Sequence, residues 1–224
     1  MKTFFSRLFV IGLGLLAIPP LRAAEPLVVI VFGDSITAGS ALPKEQQAQV
    51  WVRQVEAQSN GRLQMINEGK GGRPTDSVKE FEAMLQRRPK ADALVIALGT
   101  NDSRDITDQC VPKAVANVRA MVTKARGQYG QDLAVWLVGP PNIRKDALGP
   151  TKPIADQRDA KLRELGAAFE GLAKELNGGF VTLYGAIPDT SLTKDGVHPD
   201  VAGNEAIAKI LSSRLALLAP HPPR

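Results

Sequence analysis

Leu27-Val28-Val29-Ile30-Val31-Phe32-Gly33-Asp34-Ser35-Ile36-Thr37-Ala38-Gly39 begins as an unbroken β-branched apolar run and ends in a glycine-flanked turn. A short run without polar alternation is the pattern of a strand buried on both faces. Asp92 to Leu98 and Leu133 to Val138 repeat it, and Arg62 to Asn67 and Gly179 to Leu183 are weaker versions. Between and after these runs, apolar residues recur at three- and four-residue steps, as in Val111, Val115, Val118 and Val122. This spacing predicts helices over roughly 44–58, 74–87, 111–129, 154–176 and 200–217. Five strands alternating with five helices imply parallel pairing with helices on both faces, a doubly wound three-layer α/β/α sandwich.

The 224 residues suit one domain, with 44% hydrophobic and 23% charged residues close to ordinary globular usage. Lys2 and Arg7 precede an apolar run from Leu8 to Ile18, followed by Pro19, Pro20 and the small residues Ala23 and Ala24. That order is the n-region, h-region and cleavage site of a secretory signal peptide. The run makes only about 16 Å of helix, roughly half the hydrocarbon core, so a membrane span is the weaker reading. The expected organisation is a signal peptide at 1–23, one domain at 24–219 and a Pro-rich tail at 220–224, in an exported protein, periplasmic or secreted. Once the signal is cleaved, no stable membrane insertion is expected.

Loss of Lys2, Arg7 and Arg22 with the leader takes 28 Lys+Arg to 25 against 23 Asp+Glu, a net of +2. No basic run interleaved with aromatic residues remains, and nucleic-acid binding has no support. Two histidines and one cysteine, Cys110, rule out zinc fingers, paired-cysteine redox motifs and an internal disulfide framework. Cys110 is expected to be a buried, inert thiol, and His221 falls in the tail.

In open α/β sheets ligands lie outside the carboxyl ends of the strands, so the loops that follow strands hold the candidates. After the first strand, Ser35 sits at a tight turn behind Gly33, of the kind that can expose a hydroxyl nucleophile; Asp34 and Ser35 would equally serve as a helix cap. Asn67 to Thr75 carries three glycines before a helix, allowing backbone N–H groups to face a developing negative charge. Without Gly-Lys followed by Ser or Thr, it is not a phosphate loop. Gly99-Thr100-Asn101-Asp102 sets an amide donor after the third strand, though alone it reads as an ordinary turn. Asp195-Gly196-Val197-His198-Pro199 supplies an imidazole with a carboxylate three residues back, and Pro199 keeps His198 out of the following helix.

Together these four blocks, in this order from Gly33 to His198, resemble the SGNH hydrolases, the GDSL esterase and lipase family. The resemblance implies a flavodoxin-like sandwich with Ser35 as nucleophile, His198 as general base and then acid, and Asp195 orienting the imidazole. It implies an oxyanion hole from the N–H groups of Ser35 and Gly72 and the side chain of Asn101, with no metal and no organic cofactor. The second block, Lys70-Gly71-Gly72-Arg73-Pro74, is more glycine-rich and basic than the common pattern, which leaves Gly71 as an alternative donor. Asp34, Arg73 and Asn142 are the residues placed near substrate, with solvent the more ordinary destination for Arg73 and a plain surface loop for Asn142. The implied function is hydrolysis of small acyl esters, including O-acetyl esters of carbohydrates, so the partner is a small-molecule or glycan ester. A thioesterase, lysophospholipase or acyltransferase would use the same blocks, and a glycan-binding protein without chemistry is the remaining alternative.

Overall fold

The computed structural model describes residues 25–218; the expected leader at 1–23 and tail at 220–224 lie outside them. Five strands, β1 (Leu27–Gly33), β2 (Leu63–Gly69), β3 (Ala93–Ala97), β4 (Ala134–Gly139) and β5 (Gly179–Thr182), form one parallel sheet in the order β2-β1-β3-β4-β5. The helices are α1 (Ser35–Ala38), α2 (Trp51–Gln58), α3 (Val78–Arg87), α4 (Cys110–Tyr129), α5 (Ala155–Glu175) and α6 (Val201–Leu215). The expected doubly wound sandwich is present, and strand order reverses between β1 and β3, where such sheets bind ligands.

Residue alternation along the strands feeds two cores. Val29 and Val31 of β1, with Ala93 and Val95 of β3, face Val52 and Val55 of α2 and Ile207 and Leu211 of α6. Ile30 and Phe32, with Leu94 and Ile96, face Phe81 of α3, Val118 and Val122 of α4 and Phe169 of α5. Both strand faces are buried, which is why the runs show no polar alternation.

Two expected helices are shorter than their periodicity indicates. Residues Lys44–Gln49 are a 3-10 helix, and extended Val50 separates them from α2. The Gln47 amide donates to the carbonyls of Gly39 and Leu42, and the Trp51 N–H is capped from a distance by Asn204 Oδ1 at 3.1 Å. The helix expected from residue 74 begins at Val78, because the N–H and hydroxyl of Thr75 both donate to Asp102. Local pattern signals apolar faces; these polar contacts from elsewhere decide where the helices begin.

The C-terminal ends of β1 and β2 lie level, with Gly33 paired to Gly69. A Cβ on Gly69 would lie 2.3 Å from Ala38 N and 2.7 Å from Thr37 C, so α1 packs directly on β2 backbone. Gly69→Ala is therefore expected to cost about 1–3 kcal/mol, read as a lower midpoint in chemical denaturation; an unchanged midpoint would show that α1 yields freely.

Candidate active site

Ser35 is the first residue of α1 and is buried. Asp34 accepts from Ile36 N–H at 2.9 Å, capping the turn, and Gly39 closes it in the left-handed conformation at φ 68°. As first residue of a helix, Ser35 has an N–H with no intrahelical acceptor.

His198 reaches this turn from 163 residues away. Its Nε2 lies 2.8 Å from Ser35 Oγ, and its Nδ1 lies 2.6 Å from Asp195 Oδ2. Asp195 Oδ1 accepts from the N–H groups of Val197 and His198 and from the Thr193 hydroxyl. Burial acts to raise the Asp195 carboxyl, but the hydrogen bonds from the His198 backbone and ring and from Val197 prevail and hold it at about 2. An ionised carboxylate accepts only, so it selects the tautomer with the proton on Nδ1. Nε2 is then free to accept from the serine O–H. The loop is fixed by Arg144 N–H donating to Gly196 O at 2.8 Å and by an antiparallel bridge between Leu192 and Pro199.

Two further loops converge on the same edge. Gly72 is exposed, with φ 73°, in a turn closed by Arg73 N–H donating to Lys70 O, and only glycine adopts that conformation freely. Asn101 is partly exposed and donates one amide N–H to Arg73 O at 3.2 Å, leaving its second N–H available. Ser35, Gly72 and Asn101 thus follow β1, β2 and β3, the three adjacent strands at the switch point. An apolar cavity of about 20 Å³ lies next to the serine turn, bounded in part by Ile36, Trp51, Leu98, Val138, Pro140 and Leu183. Among the described residues, no group of three or more His, Cys, Asp or Glu side chains could hold a metal ion.

The three residues placed near substrate have other duties. Arg73 does not point to solvent: its guanidinium is buried 4.0 Å over the Phe32 ring and donates to the carbonyls of Gly33 and Glu68 and to Glu80. Stacking on an aromatic face and bonding carbonyls suits a planar guanidinium. Asn142 spends its amide on the chain, donating to Ile187 O at 2.9 Å and accepting from Gly185 N–H at 3.1 Å. Asp34 is 2% exposed and acts as the helix cap. Cys110 is buried as expected; burial, aided by Asp102 and Asp105, pushes its thiol up to about 11.

Sequence reasoning missed the Asp102–Thr75 pair, whose oxygens lie 2.5 Å apart and which couples the loops after β2 and β3. Asp102 adjoins Asn101, but nothing in the spacing marks a partner 27 residues away.

The family model described as GDSL-like Lipase/Acylhydrolase matches residues 31–206. A GDSL lipase from Mycobacterium tuberculosis (strain ATCC 25618 / H37Rv) is 28% identical over 199 residues, 84% of this chain and 81% of that protein. An uncharacterized lipoprotein from Bacillus subtilis (strain 168) is 37% identical over 87 residues, 36% of this chain, and the match spans only 34% of that protein. A carbohydrate acetylesterase family member from Sinorhizobium meliloti superposes with a TM-score of 0.72 at 20% identity, over 85% of this chain and 99% of that one. The native M. smegmatis aryl esterase gives 0.68 at 22% identity, over 84% and 98%. At these identities the solved structures share the fold.

Burial pushes the Asp34 carboxyl up to about 6, against the hydrogen bond from Ile36. A raised folded-state value makes the native protein bind the proton more tightly, so this contribution is full below pH 4 and is lost as pH rises through 6. Asp34→Asn keeps an oxygen for Ile36 N–H and removes the charge. Its stability relative to wild type should therefore rise by about 2 kcal/mol between pH 4.5 and 7.5, measured by denaturation at both pH values. A pH-independent difference would refute the shift.

Proposed function

The chain belongs to the GDSL-like lipase/acylhydrolase family of hydrolases acting on esters, and from that premise we propose that it is an exported serine esterase that cleaves short acyl esters. The observation that carries the reading is the relay from Ser35 Oγ through His198 to Asp195, at 2.8 and 2.6 Å.

In this reading Ser35 Oγ attacks the ester carbonyl while its proton passes to His198 Nε2. Asp195 stabilises the imidazolium and keeps the ring aligned. The N–H groups of Ser35 and Gly72 and the free N–H of Asn101 receive the negative charge that develops on the carbonyl oxygen. Collapse breaks the ester C–O bond, and His198 returns its proton to the departing alcohol. Water then attacks the acyl-enzyme, losing its proton to His198, and Ser35 is released with the carboxylic acid.

O-acetyl esters of carbohydrates are the natural substrates we favour, in keeping with the leader pattern at residues 1–23 and with likeness in fold to a carbohydrate acetylesterase family member.

Ser35→Ala should lower kcat by about 10⁴-fold or more with folding intact, and Asp195→Ala by a factor ten to a hundred smaller. Purified mature protein should hydrolyse p-nitrophenyl acetate well and p-nitrophenyl octanoate poorly. An active Ser35→Ala protein would remove the serine mechanism, and a preference for octanoate would remove the short-acyl reading. Export predicts that protein recovered outside the cytoplasm begins at Ala24, by N-terminal sequencing; a retained Met1 there would contradict cleavage.

A further inference from the structure

The two donors assigned to the oxyanion besides the serine N–H stand on loops that the sheet does not join. In the order β2-β1-β3, β1 lies between the other two strands and keeps their ends about 10 Å apart. Pairing therefore bonds β1 to each neighbour but leaves the loop after β2, which carries Gly72, unbonded to the loop after β3, which carries Asn101. Whatever ties these loops together sets the gap between the two donors.

Among the described residues, hydrogen bonds between residues 70–77 and 98–109 come from Asn101 and Asp102 alone. Asn101 Nδ2 donates to Arg73 O at 3.2 Å, which turns the carboxamide but is a single long bond between neutral groups. Asp102 makes the closer tie to Thr75. The Thr75 N–H donates to Oδ1 at 3.0 Å and to Oδ2 at 3.1 Å, and the Thr75 hydroxyl donates to Oδ1 at 2.5 Å. A carboxylate that takes both donors of one residue fixes distance and direction together.

Both ends of this tie are themselves held. Thr75 is 1% exposed and lies three residues beyond Gly72. Asp102 adjoins Asn101, and its own carbonyl accepts from Cys110 Sγ at 3.3 Å, while Ser103 N–H donates to Gly99 O at 3.1 Å and closes the turn. A shift of Thr75 relative to Asp102 would thus be passed to Gly72 on one side and Asn101 on the other. Oxyanion donors act at about 2.7–3.1 Å from the charged oxygen, and a misplacement of about 1 Å costs on the order of a hundredfold in rate.

We propose that Asp102 and Thr75 are positioning residues of the oxyanion hole, whose mutual hydrogen bonds hold Gly72 and Asn101 at the spacing that lets both donors reach one carbonyl oxygen. The proposal rests on the esterase reading and deepens it. Neither residue touches the ester; each acts through its neighbour. The same bonds also delay the start of α3, a duty that concerns stability alone, so the test separates rate from folding.

Three variants do this: Thr75→Val replaces the hydroxyl by a methyl of like size, Thr75→Ser keeps it, and Asp102→Ala removes every bond of the pair. For each, kcat and KM for p-nitrophenyl acetate are measured well below the unfolding midpoint, and affinity for phenylboronic acid is measured by calorimetry. That acid takes Ser35 Oγ as a fourth ligand of boron while the hydroxyl proton passes to His198. The tetrahedral, negatively charged adduct sets one boron-bound oxygen where the carbonyl oxygen would lie.

Thr75→Val should lower kcat and kcat/KM alike by about tenfold, and Asp102→Ala by about ten- to a hundredfold, with boronate affinity falling by similar factors. Thr75→Ser should stay within about threefold of wild type, since both donors remain. Because Thr75→Val keeps the volume and the N–H bond to Asp102, it carries the test even where Asp102→Ala fails to fold. A Thr75→Val protein with a lowered midpoint but wild-type kcat and boronate affinity would overturn the proposal. So would a raised KM at unchanged kcat, the mark of a lost ground-state contact. In either case, wild-type turnover that vanishes in Ser35→Ala leaves the esterase reading standing. A wild type that neither hydrolyses the ester nor binds the boronate would remove that reading and this role with it.

Discussion

A single buried guanidinium holds the candidate site in register. Arg73 lies over the Phe32 ring and donates to the carbonyls of Gly33, the last residue of β1, and of Glu68, one before the end of β2, while its own carbonyl accepts from Asn101. Three loops that start on three strands are thereby tied to one residue, two by its side chain and the third by its backbone carbonyl. Parallel pairing brings Gly33 level with Gly69 and Ala97, but strand register alone does not fix how the following loops lean. Charge-assisted bonds to carbonyls are strong, and Gly33 O, which also accepts from the Lys70 N–H, joins the start of the β2 loop to the end of β1 a second time. Glu80 and its partner Lys70 complete the clamp at the surface, and the hydrogen bond from Lys70 is the foremost cause holding the Glu80 carboxyl below the usual range.

The same edge of the sheet shifts two carboxyls in opposite directions. Asp34 accepts from Ile36 N–H in a buried setting and is pushed up to about 6, whereas Asp195 is half exposed, collects three N–H donors including the imidazole, and falls to about 2. Environment assigns different parts to identical groups. The ionised Asp195 can fix the imidazole tautomer. Asp34 lies inside and serves the turn that presents Ser35, so its proximity to the serine reflects backbone construction.

The sheet was readable because its central strands are buried on both faces: Val29 to Phe32 and Ala93 to Ile96 show it as continuous apolar sequence, whereas the edge strands β2 and β5 keep exposed positions and read more weakly. Helix starts were less readable. The break at Val50 and the delayed start of α3 come from Asn204 and Asp102, partners 153 and 27 residues away. The site divides in the same manner. Asp195 and His198 are three residues apart, so their contact is a local property, and Pro199 enforces it. Arg73 looked like a surface cation because the Phe32 face that receives it becomes a neighbour only after β1 and β2 pair. Asn142 looked like a polar group in an open loop because the acceptor at Ile187 and the donor at Gly185 lie over 40 residues further on.

That division follows from how the site is supported. The candidate groups sit in turns and loops that join strands to helices, where local sequence controls conformation: Gly39 and Gly72 supply left-handed turns, and Asp34 and Asp200 cap α1 and α6. The groups holding these pieces together act across the gaps between elements, and any residue of suitable length and polarity at the right place in space would serve. Arg73, Asn142, Arg144 and Asp102 are of this second kind, each bonding a different loop. Arg144 shows the cost of such support: Gly196 approaches so closely that a Cβ there would lie 2.5 Å from Arg144 O. The Asp195–His198 loop is thus held against the β4 loop by backbone contact, and the position of the imidazole depends on a segment distant from it in sequence.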